Sequence, residues 1–324
     1  MHLLLGVIVL AGVSGCASQP SLLDARETRL ANMVQLTFEG DNGEAYFSPD
    51  GAQLVFQSKR GGNEWDQIYG MGVDGSNVRL ISTGLGRTTC AYWNVDGTRI
   101  IYSSTHLRPE TPPRPEGGHG YEWIFDTAFE IFSVLPDGSD PVQLTRNEAY
   151  DAEATFAVGR DRIVFTSARD GDLELYSMNG DGSDARRLTR RPGYDGGAFF
   201  SPDSSQIVYR AAPPDDYRAL QIFLMDADGQ NPVQLTDAAG TNFAPSFHPD
   251  GQSIVFSSNM GDPGNFDLYL MRLDGSGLTR LTYHPAFDSF PVFSPDGRRL
   301  VFSSNRAAGE SRQTHIFIAD FVGE

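Results

Sequence analysis

The chain has 324 residues, 40% of them hydrophobic and 11% aromatic, enough to bury the core of one or two domains. Lysine and arginine number 25 against 42 acids, a formal charge of −17. That balance argues against nucleic acid or an anionic membrane surface as a direct partner.

Residues 1–15 read as a signal peptide, because Leu3 to Val13 is apolar but shorter than a bilayer span. The run ends in Val13-Ser14-Gly15-Cys16, which resembles a bacterial lipobox with Cys16 as the residue that receives lipid. Ala17 and Ser18 follow without an aspartate, so the lipoprotein pattern implies anchoring to the outer membrane, on its periplasmic side. The membrane is then touched only through the lipid. With Cys16 lipidated, Cys90 is unpaired and no internal disulfide is expected. Residues 16–33 read as a tether, in which Leu22 to Met33 could form a turn or two of helix.

From there to the C-terminus one unit recurs. It holds four short strands, a to d, rich in aromatic and β-branched residues. The turn between a and b is Ser48-Pro49-Asp50-Gly51 in the first copy and Ser294-Pro295-Asp296-Gly297 in the last. The turn between c and d carries Asp-Gly, as at Asp74-Gly75, Asp181-Gly182 and Asp274-Gly275, where both residues tolerate positive φ. The step is about 45 residues, the period of a propeller blade. The blades span about 43–82, 88–145, 152–189, 196–236, 243–282 and 289–321. One four-stranded sheet cannot bury both faces, so the blades must stack around an axis. The expected fold is an all-β, six-bladed propeller of four-stranded antiparallel blades over residues 34–324, and a monomer.

The two ends are incomplete in complementary ways. Val34-Gln35-Leu36-Thr37 matches the d strand at Val142 to Thr145 and at Val233 to Thr236, yet no a, b or c strand precedes it. The last copy stops without a d strand. The N-terminal strand is therefore expected to complete the last blade and cover its edge.

Strand direction alternates, so both tight turns lie on one face, and the d-to-a and b-to-c loops lie on the other. The loop-rich face carries the length variation, above all an insertion in blade two with His106, His119, Tyr121 and Trp123. Long loops on rigid scaffolds often bind something. At the entrance to the innermost strand stand Asn42, Thr88, Asp151, Asp195, Asn242 and Asp288, and two residues later Glu44, Cys90, Glu153, Gly197, Ala244 and Phe290. Positions two apart share a face of a strand, so both columns are expected to ring the channel mouth. Asn42, Glu44, Asp151, Glu153, Asp195, Asn242 and Asp288 then make an oxygen-rich site for a basic peptide or polar ligand. Oxygen ligands also suit Ca²⁺, although a sixfold ring spreads them too widely for one ion. The plainer reading has these acids capping turns or pairing with Arg60, Arg169 and Arg306 at the b-strand ends. No nucleophile motif or histidine column supports catalysis, and no cofactor is expected.

The run Phe-Ser-Pro-Asp-Gly, an apolar strand, Ser-Asn-Arg, an Ile/Leu-Tyr strand, Asp-Gly-Ser and Leu-Thr resembles the TolB-type β-propeller repeat over about residues 34–324. Ser104-Thr105-His106, Tyr150-Asp151-Ala152-Glu153-Ala154 and Gly193-Tyr194-Asp195-Gly196-Gly197 resemble a secreted subgroup that lacks the N-terminal TolB domain. The resemblance implies a periplasmic binding scaffold for an envelope protein or polysaccharide. The rival expectations are a metal-dependent polysaccharide lyase, which needs convergent histidines in the channel, and the accessory propeller of a peptidase system.

Overall fold

The structure, a computed structural model, describes residues 22–108, 125–237, 240–307 and 309–323. Cys16, His119, Tyr121 and Trp123 lie outside the described residues.

Six four-stranded antiparallel sheets form the ring. Five are laid down in chain order from axis to rim, as in blade three: β10 (Asp151–Phe156), β11 (Arg162–Ser167), β12 (Glu174–Asn179) and β13 (Arg186–Arg187). The turns follow from their residues. Ser48 Oγ donates to Asp50 Oδ1 (2.5 Å), the same oxygen accepts from the Ala52 N–H (3.0 Å), and Gly51 takes the left-handed φ of 70°.

The sixth sheet joins both ends of the chain. β1 (Leu30–Gln35) pairs antiparallel with β24 (His315–Phe321), which lies beside β23 (Arg299–Ser304) and β22 (Asp288–Phe293). The strand begins ahead of the expected Val34 because Leu30 and Met33 are buried against blades five and six. Residues 22–29 form turns rather than helix, pinned where Arg306 Nη1 donates to the Leu22 carbonyl (2.7 Å) and to Glu27 Oε2 (3.2 Å). Each full burial of a residue such as Leu36 is worth about 1.5–3 kcal/mol.

The Leu-Thr ending of the repeats, Ile81-Ser82 in blade one, has a structural reason. The hydroxyls of Ser82, Thr145, Thr189, Thr236 and Thr282 each accept the N–H of the second residue of the adjacent c strand at 2.9–3.0 Å. Thr37 does the same for Ile316 across the closing seam (2.9 Å). The aromatic column sits between blades: Phe47 packs on Val301, Ile316 and Ile318 of blade six, and Trp93 on Val55 and Ile68 of blade one.

Candidate functional site

Every a strand carries a bulge at its third or fourth residue. In blade three the pairing steps from Ala152 with Thr166 to Thr155 with Val164, so two residues oppose one. The bulged position is left-handed in all six blades: Glu44 (φ 51°), Cys90 (52°), Glu153 (57°), Gly197 (57°), Ala244 (50°) and Phe290 (53°). Only one of these is glycine. Such backbone costs of order 1–3 kcal/mol for other residues and persists only where the surroundings hold it.

The bulge corrects the expectation that the two acidic columns share a face. The first column turns into its own blade. Asp151 accepts from Ser167 Oγ (2.5 Å), Arg169 Nη2 (2.9 Å) and Asn147 Nδ2 (2.5 Å). Asn42 Oδ1 accepts from Ser58 Oγ (2.8 Å) and Arg60 Nη2 (2.6 Å), and Asp288 Oδ2 from Arg306 Nη2 (2.7 Å). Arg60, Arg169 and Arg306 each stack 4.9–6.0 Å from the two aromatic rings behind them, for example Phe165 and Tyr176. In blade two His106 takes this seat, bonded through Nδ1 to Ser104 Oγ (2.9 Å) and 4.2 Å from the Phe132 ring.

Two first-column members, Asp195 and Asn242, have neither a b-strand arginine nor a histidine in this seat. Asn242 donates to Gln221 Oε1 (3.0 Å), and its own Oδ1 is buried without a partner. Asp195 Oδ2 is likewise buried without a partner. Burial pushes the Asp195 carboxyl up to about 7, against the pull of Arg191. Burial also raises Asp288, to about 6, against the pull of Arg306.

The second column faces the axis. Glu44, Cys90, Glu153, Gly197, Ala244 and Phe290 line a cavity of ≈ 30 Å³. Since each a strand runs from the loop-rich face to the turn face, the next inward residues form the floor on the turn side. Among these, Thr155 also lines the cavity, and the rings of Tyr46, Tyr92 and Phe199 have centroids 5.4–5.8 Å apart. Glu44 and Glu153 are thus the two expected site residues that the fold brings together at the axis.

Their surroundings differ. Glu153 Oε2 accepts from Thr166 Oγ1 (2.7 Å), Tyr194 Oη (2.8 Å) and the Gly197 N–H (2.9 Å), and Oε1 accepts from Arg210. Arg210 also donates through Nε to Tyr194 Oη (3.0 Å). Burial opposes the charge on Arg210, but Tyr194, Glu153 and Glu44 hold it above the usual arginine value. Burial pushes Glu44 up to about 7, with Arg210 pulling the other way.

Sequence reasoning missed Arg210. The signal was present: the residue after the b-strand aromatic is Gln57, Ser103, Thr166, Arg210, Ser257 and Ser303, one large cation among small polar groups. Above the axis, on the loop-rich face, Phe125 lies 5.7 Å from Tyr150, 6.4 Å from Tyr194 and 6.3 Å from Tyr217. Phe125 and Tyr217 are 39% and 48% exposed. Among the described residues no group of three or more His, Cys, Asp or Glu side chains is placed to hold a metal ion.

Residues 218–321 match the family model of the TolB beta propeller domain. Among solved structures, the fold is similar to a putative TolB from Agrobacterium tumefaciens, with a TM-score of 0.58 at 20% identity over 88% of this chain and 91% of that one. It is similar to TolB from Acinetobacter baumannii, with a TM-score of 0.59 at 16% identity over 87% of this chain and 63% of that one. It is similar too to an oligogalacturonate lyase from Vibrio parahaemolyticus, with a TM-score of 0.58 at 16% identity over 89% and 80%. At these identities the likeness is one of fold.

Proposed function

For this TolB-like β-propeller we propose a periplasmic, lipid-anchored scaffold that binds an envelope protein or polysaccharide through its loop-rich face. The observation that carries the reading is the double placement of Tyr194. Its ring belongs to the half-exposed aromatic group with Phe125 and Tyr217, and its hydroxyl belongs to the axial Glu153–Arg210 network. An aromatic surface patch on a rigid ring suits docking, because such side chains bury large area at little entropic cost. A partner seated on Phe125 and Tyr217 is one ring away from the charged hub. Arg87, stacked 5.2 Å from Trp65 and 5.6 Å from Phe129, extends the same face with a cation.

Glu44 and Glu153 are the acids at the axis, and Glu153 is already held by Thr166, Tyr194, Gly197 and Arg210. Asn42, Asp151, Asp195, Asn242 and Asp288 hold the walls of the blades, with Arg60, Arg169 and Arg306 as partners for three of them. The anchor is Cys16, on the sequence pattern before it.

The test is capture from native envelope with the anchored chain and with a Phe125→Ala, Tyr217→Ala double variant. Loss of two aromatic anchors should weaken the retained partner by at least ~30-fold, from about 2 kcal/mol for a single hot spot. An identical partner list at equal affinity would move binding away from this face.

A further inference from the structure

We propose that the hub of the ring is a binding site for a primary ammonium group, with the Glu44 carboxylate as its counter-charge. The inference stands on the axial cavity alone and holds whether or not the loop-rich face docks a macromolecule.

Glu44 is 9% exposed and lines the cavity. Its carboxylate accepts a hydrogen bond from the Cys90 thiol, a weak donor, and among the described residues no N–H or O–H bonds to it. Glu153, by contrast, is filled by two hydroxyls, one backbone N–H and one guanidinium. The described cavity lining therefore sets two carboxylates against one arginine. A buried carboxylate held only by a weak thiol donor is under-satisfied, so the space in front of Glu44 calls for a positive hydrogen-bond donor.

The size and lining select the kind of cation. The ≈ 30 Å³ cavity has room for about two water-sized groups, which matches the two heavy atoms of methylammonium. A hard metal ion asks for about six oxygens, and the cavity offers one open carboxylate. The floor is instead the rings of Tyr46 and Tyr92, whose faces attract an ammonium, with Ala244 and Phe290 on the wall to meet its alkyl part. A guanidinium has twice the heavy atoms and does not fit.

The site competes with a proton. The charged or titratable groups around Glu44 are Arg210, which favours its ionisation, and Glu153, Asp66 and Cys90 beside it; Tyr46 shares the same pocket. Burial leaves Glu44 titrating near 7 when no cation is bound. Binding must displace that proton, so affinity rises as pH rises through that value.

The test is titration of the whole chain with ¹³C-methylammonium chloride, followed by NMR. Affinity should increase about tenfold from pH 6 to pH 8, since only the ionised fraction of Glu44 binds. Glu44→Gln should lose at least tenfold in affinity and lose the pH dependence. In the wild-type chain tetramethylammonium, which carries the charge but no N–H and has more heavy atoms than the cavity holds, should fail to compete. Nα-acetyl-lysine methylamide separates the two sources: tighter binding than methylammonium identifies a lysine side chain of a partner, weaker binding a free small amine. Absence of methylammonium binding, wild-type affinity in Glu44→Gln, or equal competition by tetramethylammonium would overturn the proposal. The wild-type competition decides even if the variant does not fold.

Discussion

In blade three, Asp151 meets an arginine from its own b strand; in blade four, Asp195 occupies the same place and meets none. Ser167 and Arg169 of blade three become Ala211 and Pro213, and a proline offers no side-chain donor. Blade four fills the vacant seat from elsewhere. Arg191, from the loop that precedes its first strand, lies 4.7 Å from the Phe223 ring, where a b-strand arginine would stack. It reaches Asp195 through charge alone, and Asp195 Oδ2 is unbonded. The same blade spends its arginine one column away, as Arg210 facing the axis. The aromatic seat thus survives a change in which residue supplies the cation, while the hydrogen bond to the aspartate does not.

Arg210→Ala should break the contrast hardest. Both side chains of the Arg210–Glu153 pair are nearly buried, so an uncompensated carboxylate at the axis should lower unfolding free energy by ~3–5 kcal/mol. Urea denaturation measures it, and a loss under about 1 kcal/mol would mean that the pair adds little to the stability of the hub. Arg169→Ala comes next. Its guanidinium is partly exposed but Asp151 is not, and an expected loss of ~1–3 kcal/mol would place blade three in the condition of blade four.

Asp195→Asn should have the smallest effect and the most telling pH dependence. The folded carboxyl titrates near 7, above the ordinary 3.8, so the folded chain binds the extra proton between those values. Its contribution is therefore intact below about pH 4 and is lost as pH rises through 7. Asparagine removes that loss, so the variant should gain on wild type from pH 5 to pH 8 in thermal melts. A constant difference across that range would show that Asp195 is ionised throughout.

The ring was legible in the sequence because its devices are local. Asp-Gly and Ser-Pro-Asp-Gly dictate turns wherever they occur, and Val34-Gln35-Leu36-Thr37 carries the d-strand residues at the wrong end of the chain. The seam at Thr37 and Ile316 follows from that. The axial site was half legible. Glu44 and Glu153 stand in a visible column, but the bulge that turns them away from Asn42 and Asp151 has no glycine to announce it outside blade four. Arg210 pairs with a glutamate 57 residues earlier, a contact that only the stacking of two blades creates. The exposed pair Phe125 and Tyr217 likewise comes from different blades and meets only in three dimensions.

The left-handed column has a consequence for orientation. Its backbone repeats six times, yet its side chains run from Glu44, Cys90 and Glu153 on one arc to Gly197, Ala244 and Phe290 on the other. Arg210 fills the space beside Gly197 and is tied to Glu153, so the hub is amphiphilic with Ala244 and Phe290 as its apolar arc. A guest with one charged end and one greasy end has a single preferred bearing there, although the wheel around it has none.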